Sequence, residues 1–153
     1  MQMLLPQAVE RSQHHVAFEL AHDCPLDEAR AHLETRSVAW EEREDPLFVT
    51  DPDGRPVQVM PYRLPATDTD RWPQHARPST SVHLGGPRKL GHVNCLTGDI
   101  RAGFRFYTEV LGMGLSDWLG EAGVWFHVNT DHHVMALVDV GQAHFHHLAF
   151  ETV

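Results

Sequence analysis

HHLAFETV (146–153) repeats, almost letter for letter, HHVAFEL (14–20), and that repeat decides how the chain divides. Both strings alternate as a β-strand does: in the earlier one Val16, Phe18 and Leu20 share a face, with His15, Ala17 and Glu19 opposite. A helix signal follows it. Asp23 or Cys24 can cap, Pro25 suits the first helical position, and Leu26, Ala29 and Leu33 recur on one side to about Arg36. Three strand-like runs come next, near SVAWEERE, PLFVT and PVQVMPY, with the DPDG turn (51–54) joining the last two. The order is β-α-β-β-β.

The same order recurs downstream. KLGHVNCL (89–96) reads as a strand, and Asp99 caps a helix on which Ile100, Gly103, Phe104, Tyr107 and Leu111 keep helical spacing until Gly112. Strands near GLSDWLG, VWFHV and HHVMALVDV complete it. The expected division is a first module at 1–63, a proline-rich linker at 64–88, a second module at 89–140, and at 141–153 the first strand of a third. The fold class is α+β: paired βαβββ modules forming a curved, partly open mixed sheet, with helices outside and a concave inner face. Strand parity sends His147, Ala149 and Glu151 into that hollow, together with His92 and Asn94, and His15 and Ala17 from the first module.

Composition narrows the function. A chain of 153 residues with 42% hydrophobic content can bury a core. A net charge of −9, with no basic run, excludes nucleic acid as a partner. No apolar run is long enough for a membrane span, and the N-terminus lacks the pattern of a signal peptide. Cys24 and Cys95 fit neither a zinc motif nor a disulfide framework, so they read as reduced thiols in a cytoplasmic protein. The 13 histidines, crowded toward the C-terminal end, point to a metal or to proton transfer.

GHVNCLTGDIRAGFRFYTEVLGMGLSD, the NTDHHVMAL run and FHHLAFETV together resemble the vicinal oxygen chelate superfamily (glyoxalase, bleomycin resistance, dioxygenase). They are most similar to the catalytic domain of type I extradiol ring-cleaving dioxygenases. HHVAFEL and the DPDGRPVQVMPY hairpin resemble the second half of such an enzyme's N-terminal domain. The resemblance implies an Fe(II) (or Mn) centre held by His92 and His147, with His133 as the acid/base, and cleavage of a catechol by O2. It also implies a third, carboxylate ligand, which the spacing from His15 to Gln58 projects to about residue 190, past Val153.

Three arrangements answer that gap, truncation foremost. In the second, the two modules close on each other, His15 replacing His147 and Gln58 taking the carboxylate's place. In the third, the last strand joins another chain's sheet, giving a homodimer or higher oligomer by strand or module exchange. Glu151 and Glu19, farther along the same strands as His147 and His15, are further candidate ligands. Read without the resemblance, His92 and His147 are hydrogen-bonded strand histidines and His133 is a turn residue after Asn129 and Asp131. Trp72, Trp118 and Trp125 read as core or linker packing. The competing functions on this scaffold are a glyoxalase-type metalloenzyme and a metal-free, aromatic-binding dimer of the bleomycin-resistance type.

Overall fold

A computed structural model describes residues 15–63 and 87–152. Among them the order β-α-β-β-β runs twice, and a ninth strand follows. The first run comprises β1 (Val16–Glu19), α1 (Leu26–Thr35), β2 (Trp40–Glu42), β3 (Leu47–Thr50) and β4 (Pro56–Met60). These strands form a four-stranded sheet, β1-β4-β3-β2, in which only β1 and β4 are parallel. The second run comprises β5 (Pro87–Thr97), α2 (Ile100–Arg105), β6 (Gly114–Leu119), β7 (Gly123–His127) and β8 (Met135–Asp139). With β9 (His144–Thr152) it builds a five-stranded sheet, β6-β7-β8-β5-β9.

Alternation makes the first sheet one-sided. Leu47, Val49, Val57 and Val59 are buried along β3 and β4, and Ala29 and Leu33 of α1 are buried with them. Each such valine or leucine side chain contributes about 1.5–3 kcal/mol when fully covered. The N-cap of α1 is Pro25 itself, with no side-chain cap hydrogen bond, one residue later than the sequence suggests. The DPDG turn is closed by Asp51, whose Oδ1 accepts from the backbone N–H of Asp53 (3.0 Å) and Arg55 (2.8 Å). Gly54 sits there at φ +83°, a conformation other residues adopt only with strain.

The second helix departs from its expected form. Asp99 does cap it, accepting from the N–H of Arg101 (3.0 Å) and Ala102 (2.9 Å). After Arg105, however, it widens into a π-helical turn over Phe106–Val110, closed by Leu111 N–H donating to the carbonyl of Phe106 at 3.1 Å. The wider turn lets two consecutive aromatic residues, Phe106 and Tyr107, both enter the core. Gly103 eases the close approach to β8: a Cβ there would stand 2.5 Å from Leu137 Cδ1 and oblige that side chain to shift.

Polar contacts join the two module runs. Tyr107 Oη donates to Asp51 Oδ2 (3.1 Å), and Arg55 pairs with Asp51 (2.6 Å) and Asp53 (3.0 Å) while also donating to the Leu96 carbonyl. Gly98 N–H donates to Asp53 Oδ1 (3.0 Å), and His32 Nε2 meets the Val110 carbonyl at 3.0 Å. Asp51 is 3% exposed, so its charge survives burial only through these partners.

The topology corrects one expected closure. Among the described residues β1 pairs only with β4, whereas β5 pairs with β8 on one side and with β9, antiparallel, on the other. The two first strands of successive modules thus lie together, so His15 does not replace His147, and Gln58, opposite Ala17, is in the other sheet. The last strand finds its partner, β5, in its own chain. The linker expected at 64–88 lies outside the described residues apart from Pro87 and Arg88, which already belong to β5. No helix among the described residues is long and apolar enough to cross a membrane.

Candidate metal centre

Register brings the predicted histidines together. In the β5–β9 ladder His92 lies opposite Ala149 and Asn94 opposite His147, so all four share one face, with Leu90, Val93, Leu148 and Phe150 on the other. His92 Nε2 and His147 Nε2 are 3.0 Å apart, one ring holding the proton and the other accepting it. Their ring centroids are 5.1 Å apart and the planes nearly perpendicular, at 75°.

His133 completes the cluster from a different kind of element. The His132–His133 pair precedes β8 and belongs to the loop after β7 rather than to a strand. Asn129 Oδ1 accepts from Asp131 N–H (2.9 Å), and Ser116 Oγ donates to the carbonyl of His132. The His133 ring thereby lies with its centroid 4.4 Å from that of His92. His133 Nδ1 is 2.9 Å from His132 Nδ1, which leaves Nε2 as its second working nitrogen. Burial first, and the neighbouring imidazoles second, lower the pKa of both His92 and His133 below the ordinary histidine value. Both rings are consequently neutral, as metal coordination and proton abstraction require.

The donor set can be tested against a divalent ion. With metal–nitrogen bonds of about 2.1 Å, two nitrogens 3.0 Å apart subtend about 90° at the ion, the angle between adjacent ligands of an octahedral centre. The pair therefore fits two neighbouring positions on one ion. Among the described residues no group of three or more metal-binding side chains forms. The carboxylates considered from sequence are engaged elsewhere: Glu19 Oε1 accepts from Arg63 N–H (2.9 Å), and Glu151 pairs with Lys89 (3.5 Å).

Two residues gain significance that sequence did not give them. Asn94 is 9% exposed, and its Oδ1, buried beside His147, has no hydrogen-bond partner among the described residues. A buried unpaired acceptor costs about 1–3 kcal/mol, so a donor supplied by a ligand would relieve it. Strand parity had already turned Asn94 inward, but only the coordinates reveal the missing partner. Trp125 is half-buried, with its ring centroid 6.1 Å from that of His133, and so borders this cluster rather than the core. Trp118 packs on Phe104 (5.2 Å), as expected, and Trp72 lies outside the described residues.

Comparison with known proteins agrees with this architecture. The profile of the Glyoxalase/Bleomycin resistance protein/Dioxygenase superfamily matches residues 89–153. Metapyrocatechase 2 of Cupriavidus necator is 30% identical over 121 residues, which cover 71% of this chain and 37% of that protein. A crystal structure of catechol 2,3-dioxygenase superposes with a TM-score of 0.70 at 22% identity, covering 93% of this chain and 52% of that one. A Mn(II)-bound glyoxalase from Novosphingobium aromaticivorans gives 0.70 at 22% identity, with 95% and 48% covered. The chain thus spans about half the length of those two structures and 37% of the curated relative.

Proposed function

The chain carries a Glyoxalase/Bleomycin resistance protein/Dioxygenase superfamily domain across residues 89–153 and is related to the extradiol dioxygenases; on that footing we propose that it binds a catechol at an iron(II) centre and cleaves the ring beside its hydroxyls. The observation that carries this reading is the convergence of His92 and His147, Nε2 to Nε2 at 3.0 Å, with His133 beside them. His92 and His147 would hold the ion. When bound, iron(II) supplies a path for electrons between ring and dioxygen.

The remaining steps belong to the side chains. His133, neutral at working pH, takes a catechol hydroxyl proton at Nε2 and holds it for return to the product, while its Nδ1 stays engaged with His132. Asn94 offers its unpaired amide oxygen to a hydroxyl on the same face. Trp125 bounds the ring's apolar edge. The two donors found among the described residues would by themselves hold an ion weakly. Anaerobic loading with iron(II), followed by catechol and air, yields a yellow ring-opened product with oxygen uptake. Stoichiometric iron with neither product nor oxygen uptake refutes the proposal.

The absence of a third donor among the described residues also favours a second reading, a metal-free pocket that sequesters an aromatic ligand. Metal content separates the two. A chain that retains no iron after anaerobic loading yet binds catechol belongs to the second.

A further inference from the structure

The outer strands of the two sheets are not alike. β2 has three residues, with Glu41 and Glu42 exposed, β1 has four, and β6 shifts register between Leu115 and Asp117, all features that deter a further strand. β9 is different: it has nine residues, neither lysine nor proline, and runs regularly from His147 to Glu151. Among the described residues it is paired along one edge alone. The other edge carries usable backbone groups. Val93 N–H donates to the Val134 carbonyl at 3.0 Å, away from β9, so the Val93 and Leu148 pair is not hydrogen-bonded. Leu148 therefore turns its own N–H and C=O to the open edge, and so does Phe150, two residues on. On the face away from the histidines, Leu90, Leu148 and Phe150 are all exposed.

We propose that two copies of the chain join β9 to β9 about a two-fold axis at Ala149, and that each supplies Glu151 as the carboxylate ligand to the ion held by His92 and His147 of the other. The inference rests on the reading of those histidines as metal ligands and adds the missing donor. Register selects the axis. Centred on Ala149, an antiparallel pairing sets Leu148 against the partner's Phe150 on the apolar face and His147 against the partner's Glu151 on the other. Moving the axis by one residue sets Glu151 against the partner's Phe145 or the partner's Ala149 instead. Residues directly opposite one another hold their Cβ atoms about 4.5–5.5 Å apart, within the reach of a glutamate side chain. Within one chain, Glu151 lies four residues from His147, about 13 Å along the strand, too far to share an ion with it. Lys89, which pairs with Glu151 at 3.5 Å, keeps Asp131 when Glu151 turns to the partner. Each ion then has two imidazoles and one carboxylate, a donor set that suits iron(II).

The test reads mass and iron content. The chain loaded anaerobically with iron(II) and desalted sediments at twice 17.3 kDa with equimolar iron. Glu151→Gln leaves the strand edge unchanged and lowers iron retention at least about tenfold. Phe150→Lys, at an exposed position, sets a charge against the partner's Leu148 and yields a monomer with a similar loss. Mixing decides whether the carboxylate acts between chains. His147→Ala and Glu151→Gln each retain little iron alone. Combined in equal amounts before loading, they retain it at about a quarter of the chains, because half of the dimers are mixed and one of their two sites is whole. Iron retained by a monomeric parent chain, or no recovery in the mixture, overturns the inference while the iron reading stands. A parent chain that retains no iron overturns both.

Discussion

β1 and β5 occupy the same place in their modules, yet only one of them carries candidate chemistry. Each pairs in parallel with the last strand of its own module, Val16 opposite Val57 in the first and Val93 opposite Met135 in the second. On that register His15 corresponds to His92, and Ala17 to Asn94. Among the described residues β1 has no other neighbour, and the ring of His15 rests edge-on against Phe48, 6.2 Å between centroids. β5 has β9 alongside, which presents His147 to His92. An inward histidine on a first strand is thus not a metal ligand by itself. It becomes a candidate only where a second first strand is laid antiparallel beside it, because the ladder then sets two imidazoles at coordinating distance.

The largest effect should fall on that difference. His147→Ala or His92→Ala lowers iron(II) retention at least about a hundredfold, beyond what loss of an outer-shell partner causes, while His15→Ala leaves it unchanged. Metal analysis after anaerobic desalting measures all three. A matching loss in His15→Ala would break the comparison.

The next effect lies where the modules meet. Asp51→Ala leaves the Arg55 guanidinium, 12% exposed at its side chain, without its main partner and removes the acceptor of Tyr107, at a cost of about 3 kcal/mol. Tyr107→Phe deletes one hydrogen bond and costs about 1 kcal/mol, with the Asp51–Arg55 pair intact. Urea unfolding followed by tryptophan fluorescence checks both values. If Asp51→Ala is as mild as Tyr107→Phe, this cluster does not hold the modules together.

How much of this was legible beforehand depended on the range of the interaction. Strand parity on HHLAFE and LGHVN put His147 and His92 on inward faces, because a two-residue period is a local property of the backbone. Asp99 as a cap was legible for the same reason. Which first strand would lie beside β5 was not, since β1 and β9 carry nearly the same string and the choice between them is made by tertiary pairing. The π-helical turn was invisible because it answers a tertiary demand, the burial of Tyr107 against Asp51, that helical spacing cannot express. The Asn94 oxygen left without a partner among the described residues was illegible for the same reason, as it is defined by what stands next to it in space.

The two cysteines extend the contrast between modules to the smallest effect. Cys24, just before α1, is half-buried; Cys95, on β5, is fully covered. Burial raises both thiol pKa values, but that of Cys95 is pushed up to about 11 from an ordinary 9.0, desolvation outweighing the nearby Arg55. The folded chain therefore keeps the Cys95 proton at pH values where the unfolded chain has released it. The unfolded state binds fewer protons there, so stability falls with rising pH. This contribution is fully present below about pH 9 and is lost as pH rises through about 11. Tyr107, whose pKa is also raised by burial, acts in the same sense. Cys95→Ala lowers stability at neutral pH through the small cavity it opens, yet flattens the alkaline slope. Cys24→Ala does neither to a comparable degree. Melting temperatures followed from pH 7 to pH 11 separate the two contributions, because the cavity shifts the whole curve while the thiol changes only its slope. Equal slopes for Cys95→Ala and the parent chain would mean that Cys95 is better hydrated than its complete burial implies.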